Sequence, residues 1–263
     1  MSLNGCKITV LSDNVAGASS FAEHGLSLLI EADKTLLFDA GASDLFLTNA
    51  RLVKKNIQDI DMAILSHGHW DHGNGFMHLP GAEIMCHPGV FRQRFRRNNN
   101  VHIGLKYTKT QAEKVFKMEF NTQPFRLSEM VYYLGEIPRV TSFESKHTQY
   151  VLDNGQADDV DDEVALAVVT PKGLVILAGC SHAGICNIIL HSVKVTGIDQ
   201  IYTVMGGFHL KADNEITRLT IAFMKQYCVE RVYPMHCTSF AASFRFYEAF
   251  KSSRLHTCST VNL

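Results

Sequence analysis

Short apolar runs ended by glycine, aspartate or asparagine dominate the first ninety positions of the chain. "CKITVLSD", "GLSLLIEAD", "KTLLFDAG", "DMAILSHG" and "AEIMCHPG" predict brief strands joined by turns, with Asp33-Lys34 as a hairpin connection. In "DLFLTNARLVKKN", Leu45, Leu52 and Val53 recur at helical spacing and predict a crossing helix. From about 90 to 150 the pattern changes: "FRQRFRRNNN" is basic, strand periodicity fades, and "TQAEKVFKMEF" predicts a short helix. This stretch reads as a lid-like insertion over the core. The strand pattern resumes at "EVALAVVT" and "LVILAG", a hairpin about "PKG". Helices are then predicted at "AGICNIILHSVKVT", "NEITRLTIAFMKQYC" and "SFAASFRFYEAFKSS", with strands "QIYTVMGG" and "RVYPMH" between them.

One arrangement recurs: a buried strand ends in a short polar turn that carries histidine. Ile64-Leu65 precedes His67, Ile176-Leu177-Ala178 precedes His182, Val204-Met205 precedes His209, and Val232-Tyr233 precedes His236. In α/β sheets ligands gather at the carboxyl ends of strands, so distant histidines would converge on one edge.

Composition narrows the classes. At 263 residues, with 46% hydrophobic content, the chain can bury a sizeable core in one domain, taken as 1–263. A net charge of −1 supplies no global field for nucleic acid or an anionic membrane. No apolar stretch has the length of a membrane span and the first residues lack a signal-peptide pattern, so a cytoplasmic location is expected. The 7 cysteines have no paired spacing and fit reduced thiols. The 13 histidines are the compositional anomaly.

"LSHGHWDHGNG", residues 65–75, concentrates them. In an extended stretch His67 and His69 point the same way and can reach one cation; Asp71 and His72 then aim at a second position. Imidazole and carboxylate suit zinc, iron or manganese. The alternative is a solvated His-rich loop.

"HGHWDH" resembles the His-x-His-x-Asp-His motif of the metallo-β-lactamase superfamily. "EHGLSLLIE", "LLFDAG", "GCSHAGI", "GGFHL" and "PMHCT" resemble its dihydropteroate-synthase-like, or ribofuranosylaminobenzene 5′-phosphate synthase-like, branch. The resemblance spans nearly the whole chain. It implies an α/β fold, a four-layer αββα sandwich, with a metal pair at one edge. His67, His69 and, by position, His182 would hold the first ion; Asp71, His72 and His236 would hold the second. Two divalent ions are implied, zinc first, with iron or manganese as alternatives.

The chain also departs from the family pattern. Most members carry a bridging aspartate in a Gly-Asp context, where this chain has Gly179-Cys180-Ser181-His182. Cys180 is the nearest substitute and is equally readable as a core thiol. Asp161, Asp162 and Glu163, just before the preceding strand, are another candidate replacement, against a solvated turn, which is the reading favoured here. His209 is a candidate proton donor or substrate contact. Glu23 and His24 are placed over the same edge by resemblance to the branch, against a plain surface hairpin. His87 reads as a capped turn residue. Arg92, Arg94, Arg96 and Arg97, interleaved with Phe91 and Phe95, could bind a phosphate or carboxylate, or lie on an exposed helix face.

No serine-hydrolase elbow, P-loop or dinucleotide motif is present. The expected activity is therefore hydrolysis by a metal-activated water, with Asp71 steering it, on a small anionic substrate, pterin-like by the branch resemblance. An iron-dependent redox enzyme on the same scaffold and a non-catalytic metal or ligand sensor are the competing classes. Nucleic acid is a weak option, and homo-oligomerisation is left open.

Overall fold

The computed structural model describes residues 5–145 and 147–263. In chain order its strands are β1 (Lys7–Ser12), β2 (Ser27–Glu31), β3 (Thr35–Phe38), β4 (Met62–Leu65), β5 (Glu83–Cys86), β6 (Arg94–Arg96), β7 (Lys117–Phe120), β8 (Phe125–Arg126), β9 (Val131–Tyr133), β10 (Tyr150–Leu152), β11 (Ala165–Thr170), β12 (Gly173–Ala178), β13 (Ile201–Gly207), β14 (Arg231–Met235) and β15 (Thr260–Asn262). The α-helices are α1 (Leu45–Leu52), α2 (Trp70–Gly73), α3 (Lys109–Val115), α4 (Ile185–Thr196), α5 (Glu215–Gln226) and α6 (Phe240–Phe250).

Two sheets face each other. The first runs β15-β1-β2-β3-β4-β5-β7 and the second β14-β13-β12-β11-β9-β8. Alternation along the strands decides the layers. Ile8, Val10, Leu28, Ile30, Phe38 and Ile64 of one sheet meet Val131, Leu166, Val168, Val175, Leu177 and Met205 of the other. Their sequence neighbours Leu29, Leu37, Ala63 and Leu65 turn outward against Phe46 and Ala50 of α1 and Ala112 of α3. On the far side, Ala167, Ile176 and Val204 bury against Ile188 and Ile189 of α4, Met224 of α5 and Phe246 of α6. The order is helix, sheet, sheet, helix, as the αββα expectation required. No described helix is long and apolar enough to cross a membrane.

Local chemistry fixes the helix ends. Thr108 and Gln111 form a reciprocal capping box on α3, Asn214 caps α5, Ser239 caps α6, and α4 stops at left-handed Gly197.

The middle segment is more structured than its sequence pattern suggests. "TQAEKVFKMEF" is helical only to Val115; Lys117–Phe120 then pairs in parallel with β5 at the edge of the first sheet. β8 and β9 join the second sheet. β6 and β10 form a separate antiparallel pair, with Phe95 opposite Val151. These strands span two to four residues, too short for a period-2 signal to stand out. Arg94 and Arg96 thus lie on a strand, with Arg92 and Arg97 in the turns on either side, and none of the four is on a helix face.

β3 and β4 are parallel neighbours, as are β12, β13 and β14. Their carboxyl ends open on one edge, where the histidine turns lie.

Candidate metal centre

Three of the histidines at that edge, His67, His72 and His236, are each held by a partner. Asp39, fully buried after β3, accepts Ser66 N–H and Ser66 O–H, both at 2.7 Å, and its Oδ2 lies 2.6 Å from His72 Nδ1. A carboxylate only accepts, so Nδ1 of His72 carries the proton and Nε2 is left as the lone-pair nitrogen. Ser66 Oγ gives its hydrogen to Asp39, so at 2.8 Å it accepts from His67 Nδ1. His236 is turned the same way: its Nδ1 is 2.8 Å from Asn14 Oδ1 and its backbone N–H donates to Asp13.

The result is a convergence of lone pairs. His67 Nε2 lies 2.9 Å from His69 Nδ1, and His72 Nε2 lies 3.1 Å from His236 Nε2. His69 Nδ1–H can donate to His67 Nε2, but His72 and His236 both carry their proton on Nδ1, so their facing Nε2 acceptors require a cation or a shared proton between them. His69 Nε2 and His182 Nε2 are buried without a partner. The ligand atoms of His67, His69 and His182 all lie within 4.8 Å of one another, as do those of His24, Asp71 and His236, those of His67, His72 and Cys180, and those of Cys180, His236 and Cys237. The donor set fits divalent cations with imidazole, carboxylate and thiolate preference.

Electrostatics agree. Burial holds His67, His69 and His182 well below the ordinary imidazole range, reinforced by neighbouring imidazoles, so they are neutral donors. Burial also opposes charge on His72, but Asp39 outweighs it and raises the group to about 9, a proton standing where a cation fits. Burial raises Asp71, yet the adjoining His236 and His24 imidazoles and the charge on His72 prevail and hold it well below the carboxylate range. His209 is pushed down to about 4 by burial and is therefore neutral near pH 7.

The backbone pays for this arrangement in strain. Asp39, Ser181, His209 and His236 all adopt left-handed conformations, with φ between 45° and 59°. Such residues cluster where a site over-determines them. Two glycines permit close approach: a Cβ at Gly68 would lie 2.0 Å from Val90 O, and one at Gly179 would lie 2.2 Å from Ser66 Oγ.

The centre opens into a cavity of about 120 Å³ whose walls include Trp70, Arg96, Tyr150, His209, Lys211 and Cys237. A second cavity of about 330 Å³ shares Tyr150, His182, His209 and Lys211 with it and adds Arg139, Phe143, Phe208 and Asn214. Tyr150 Oη lies 3.1 Å from His209 Nε2.

Several expected roles change. Arg94 cannot meet substrate: it is fully buried, paired with Asp162 at 2.8 Å and Asp158 at 3.3 Å. Arg92 pairs with Asp161, and Arg97 stands exposed outside both cavities. Of the four arginines, Arg96 reaches the metal edge. Glu23 is absent from both cavity walls; it accepts from Ser12, Ala42 and Ser43 and braces the turn after β3. His24 is half-exposed at the rim, 3.1 Å from Asp71. The acidic trio is not a solvated turn, because Asp162 and Glu163 are buried. Asp162 accepts Gly68 N–H at 2.8 Å inside the histidine motif, and Glu163 accepts the N–H groups of His182 and Ala183. His87 accepts from Gly89 N–H, the capped turn expected of it.

Tyr150, Lys211 and Asp39 contribute to the site without having been singled out, and Glu163 does so although it was read as part of a solvated turn. Asp39 had a readable signal, a polar residue ending an apolar strand in "LLFDAG". Tyr150 had none, since only the fold brings β10 to this edge.

The matching family is the "Beta-lactamase superfamily domain", over residues 34–237. A Methanocaldococcus jannaschii protein named 7,8-dihydropterin-6-methyl-4-(β-D-ribofuranosyl)-aminobenzene-5′-phosphate synthase is 38% identical over 276 residues, covering 95% of this chain and 94% of the relative. An uncharacterized protein of the same organism is 33% identical over 245 residues, covering 89% and 91%. Among solved structures, Tm1679, described as a metal-dependent hydrolase of the β-lactamase superfamily, superposes with a TM-score of 0.88 at 27% identity, covering 98% of this chain and 99% of that one. Zn(2+)-bound PqqB from Methylobacterium extorquens shares the fold, with a TM-score of 0.56 at 12% identity over 98% and 100%. With its strand-end histidines gathered at one edge of an αββα sandwich and relatives named as a synthase and a metal-dependent hydrolase, this chain belongs to the metallo-β-lactamase superfamily.

Proposed function

We propose that the chain is a metal-dependent hydrolase of a small molecule bearing a phosphate or carboxylate. The observation that carries this reading is the set of lone-pair nitrogens converging on a cavity that opens into a larger, cation-lined one. His67, His69 and His182 would hold one divalent ion, zinc first and iron or manganese as alternatives; Asp71, His72 and His236 would hold a second. When bound, such ions supply Lewis acidity and bring a water's pKa toward neutrality.

The chain's own residues divide the remaining work. Asp39, Asn14 and Glu163 fix the imidazoles and the His182 turn. Lys211 and Arg96 give the cavity its positive charge and bind the anionic group. His209, neutral near pH 7, orients the Tyr150 hydroxyl. Burial pushes Tyr150 up, so its phenol keeps its proton and serves as a donor at the leaving group. Phe143 and Phe208 offer the larger cavity an apolar face for an aromatic portion.

A second reading is supported by the relative named as a synthase. In it, the larger cavity seats an organic nucleophile that takes the place of water, a ribofuranosylaminobenzene 5′-phosphate attacking the 6-methyl carbon of a dihydropterin that carries a phosphate-class leaving group there, which departs with the electron pair of the broken C–O bond. The test is metal analysis of purified protein followed by turnover on phosphodiesters, diphosphates and lactones, and on that reactant pair. Metal-dependent release of phosphate or acid supports hydrolysis. Condensation without hydrolysis replaces it with the second reading. Loss of turnover after chelation and recovery with zinc are expected in either case; chelator-resistant turnover would overturn both.

A further inference from the structure

Two cysteines share the cavity with the histidines, and the proposal above gives neither a role. Cys180 Sγ lies 3.2 Å from His72 Nε2. The ligand atoms of Cys180, His236 and Cys237 lie within 4.8 Å of one another, and His72 Nε2 is 3.1 Å from His236 Nε2. Both cysteines line the small cavity.

We propose that the second metal position is a mixed imidazole–thiolate site in which Cys180 and Cys237 join His72 and His236, taking the place of the Asp71 carboxylate assigned there above, which then lies beside the ion. This inference rests on reading the cavity as a metal centre. Tetrahedral zinc, with Zn–N near 2.05 Å and Zn–S near 2.3 Å, places two nitrogens about 3.3 Å apart and a nitrogen and a sulfur about 3.6 Å apart. The observed 3.1 Å and 3.2 Å fall within about 0.4 Å of those spacings, and Cys237 Sγ lies within 4.8 Å of the Cys180 and His236 donor atoms. The backbone makes room for the thiol: a Cβ at Gly207 would stand 2.6 Å from Cys237 Sγ and 3.2 Å from Cys180 Cα. Cys180 ends the turn after β12 and Cys237 follows β14, so the two thiols arrive from strands on either side of β13.

The two positions then differ in kind. The first is three neutral imidazoles; the second carries thiolates, with Asp71 beside it. Thiolate donors favour zinc or ferrous iron over manganese or magnesium. The ligand class is therefore a borderline-soft divalent cation, discriminated by the second position.

The experiment uses the full chain loaded with zinc and, separately, with cobalt(II). Zinc-edge X-ray absorption is expected to show sulfur at about 2.3 Å beside nitrogen. The cobalt protein should show a near-ultraviolet sulfur-to-metal charge-transfer band, weakened in Cys180→Ser and in Cys237→Ser and absent in the double variant. Zinc affinity at one position should fall at least 10-fold in each single variant while the other ion is retained, at or above the 10–100-fold seen for residues that merely orient ligands. Zinc should shield two thiols from alkylation, with exposed Cys228 reacting in both states as an internal control. Two bound ions with no sulfur shell, or a band that survives the double substitution, would overturn the inference and leave the metallohydrolase reading standing. A wild-type chain that binds no ion overturns both. The wild-type spectra need no variant, so a misfolded variant does not remove the test.

Discussion

Arg94→Met separates a structural from a substrate-binding role for the arginine run. Arg94 is fully exchanged from water into the protein, with Asp162 at 2.8 Å, Asp158 at 3.3 Å and Gly89 O at 3.4 Å as its surroundings. At an effective dielectric near 20, the 2.8 Å contact amounts to about 6 kcal/mol before desolvation of each ion, several kcal/mol, is subtracted. Replacing one partner leaves two buried carboxylates uncompensated, a loss of about 3–5 kcal/mol. At roughly 2–4 °C per kcal/mol in a chain near this size, the midpoint falls by about 6–20 °C.

The pH dependence carries the sharper signature. Burial raises Asp162, but Arg94 outweighs it and holds the carboxyl below its ordinary value. In the native protein this contribution is present above the ordinary carboxylate range and is lost as pH falls through the lower folded value. Without Arg94 the largest opposition to burial is gone and chiefly the Gly68 N–H bond remains against it, so Asp162 is raised and the sign reverses: stability is recovered as pH falls toward 5. Urea denaturation of both proteins at pH 5 and pH 7.5 measures this. Adding Asp162→Asn to the variant should restore part of the loss, since the unpaired charge is then gone. A loss below about 1 kcal/mol with no recovery at pH 5 would refute the buried-pair reasoning.

Three further outcomes are expected. Asp39→Asn releases His72 and, through Ser66, His67, and should weaken metal binding about 10–100-fold by competitive chelation, with the fold retained by circular dichroism. Glu163, raised by burial to about 7 against the N–H bonds of Ala183 and His182, favours its protonated form in the fold; its contribution is present below the ordinary carboxylate range and is lost as pH rises through about 7, so Glu163→Gln should flatten the fall in apoprotein stability between about pH 4.5 and 7. Lys211→Met should raise KM for an anionic substrate about 10–100-fold while kcat changes less, the effect of one lost charge-assisted bond; an unchanged KM would remove Lys211 from substrate binding.

Much of the site was legible because its signals are local. His67, His69, Asp71 and His72 lie within six positions after an apolar strand, and His182, His209 and His236 repeat that strand-end pattern. The αββα layers follow from alternation and from the helices after β12, β13 and β14. Short edge strands such as β7 and β8 were not readable, because pairing with a neighbour rather than periodicity defines them.

What the chain alone determined, then, was which residues can bind a cation and that strand ends would present them. The tertiary structure decided which charged groups are solvated. Arg94 and Asp162 look like surface residues by composition and become a buried pair because β6 folds back over the loop before β11. Orientation is likewise tertiary: Asp39, 33 residues from His72, turns that imidazole so its lone pair faces His236, a further 164 residues away. Sequence fixes donor type and spacing within one turn of chain, whereas protonation and direction depend on partners that only folding brings near.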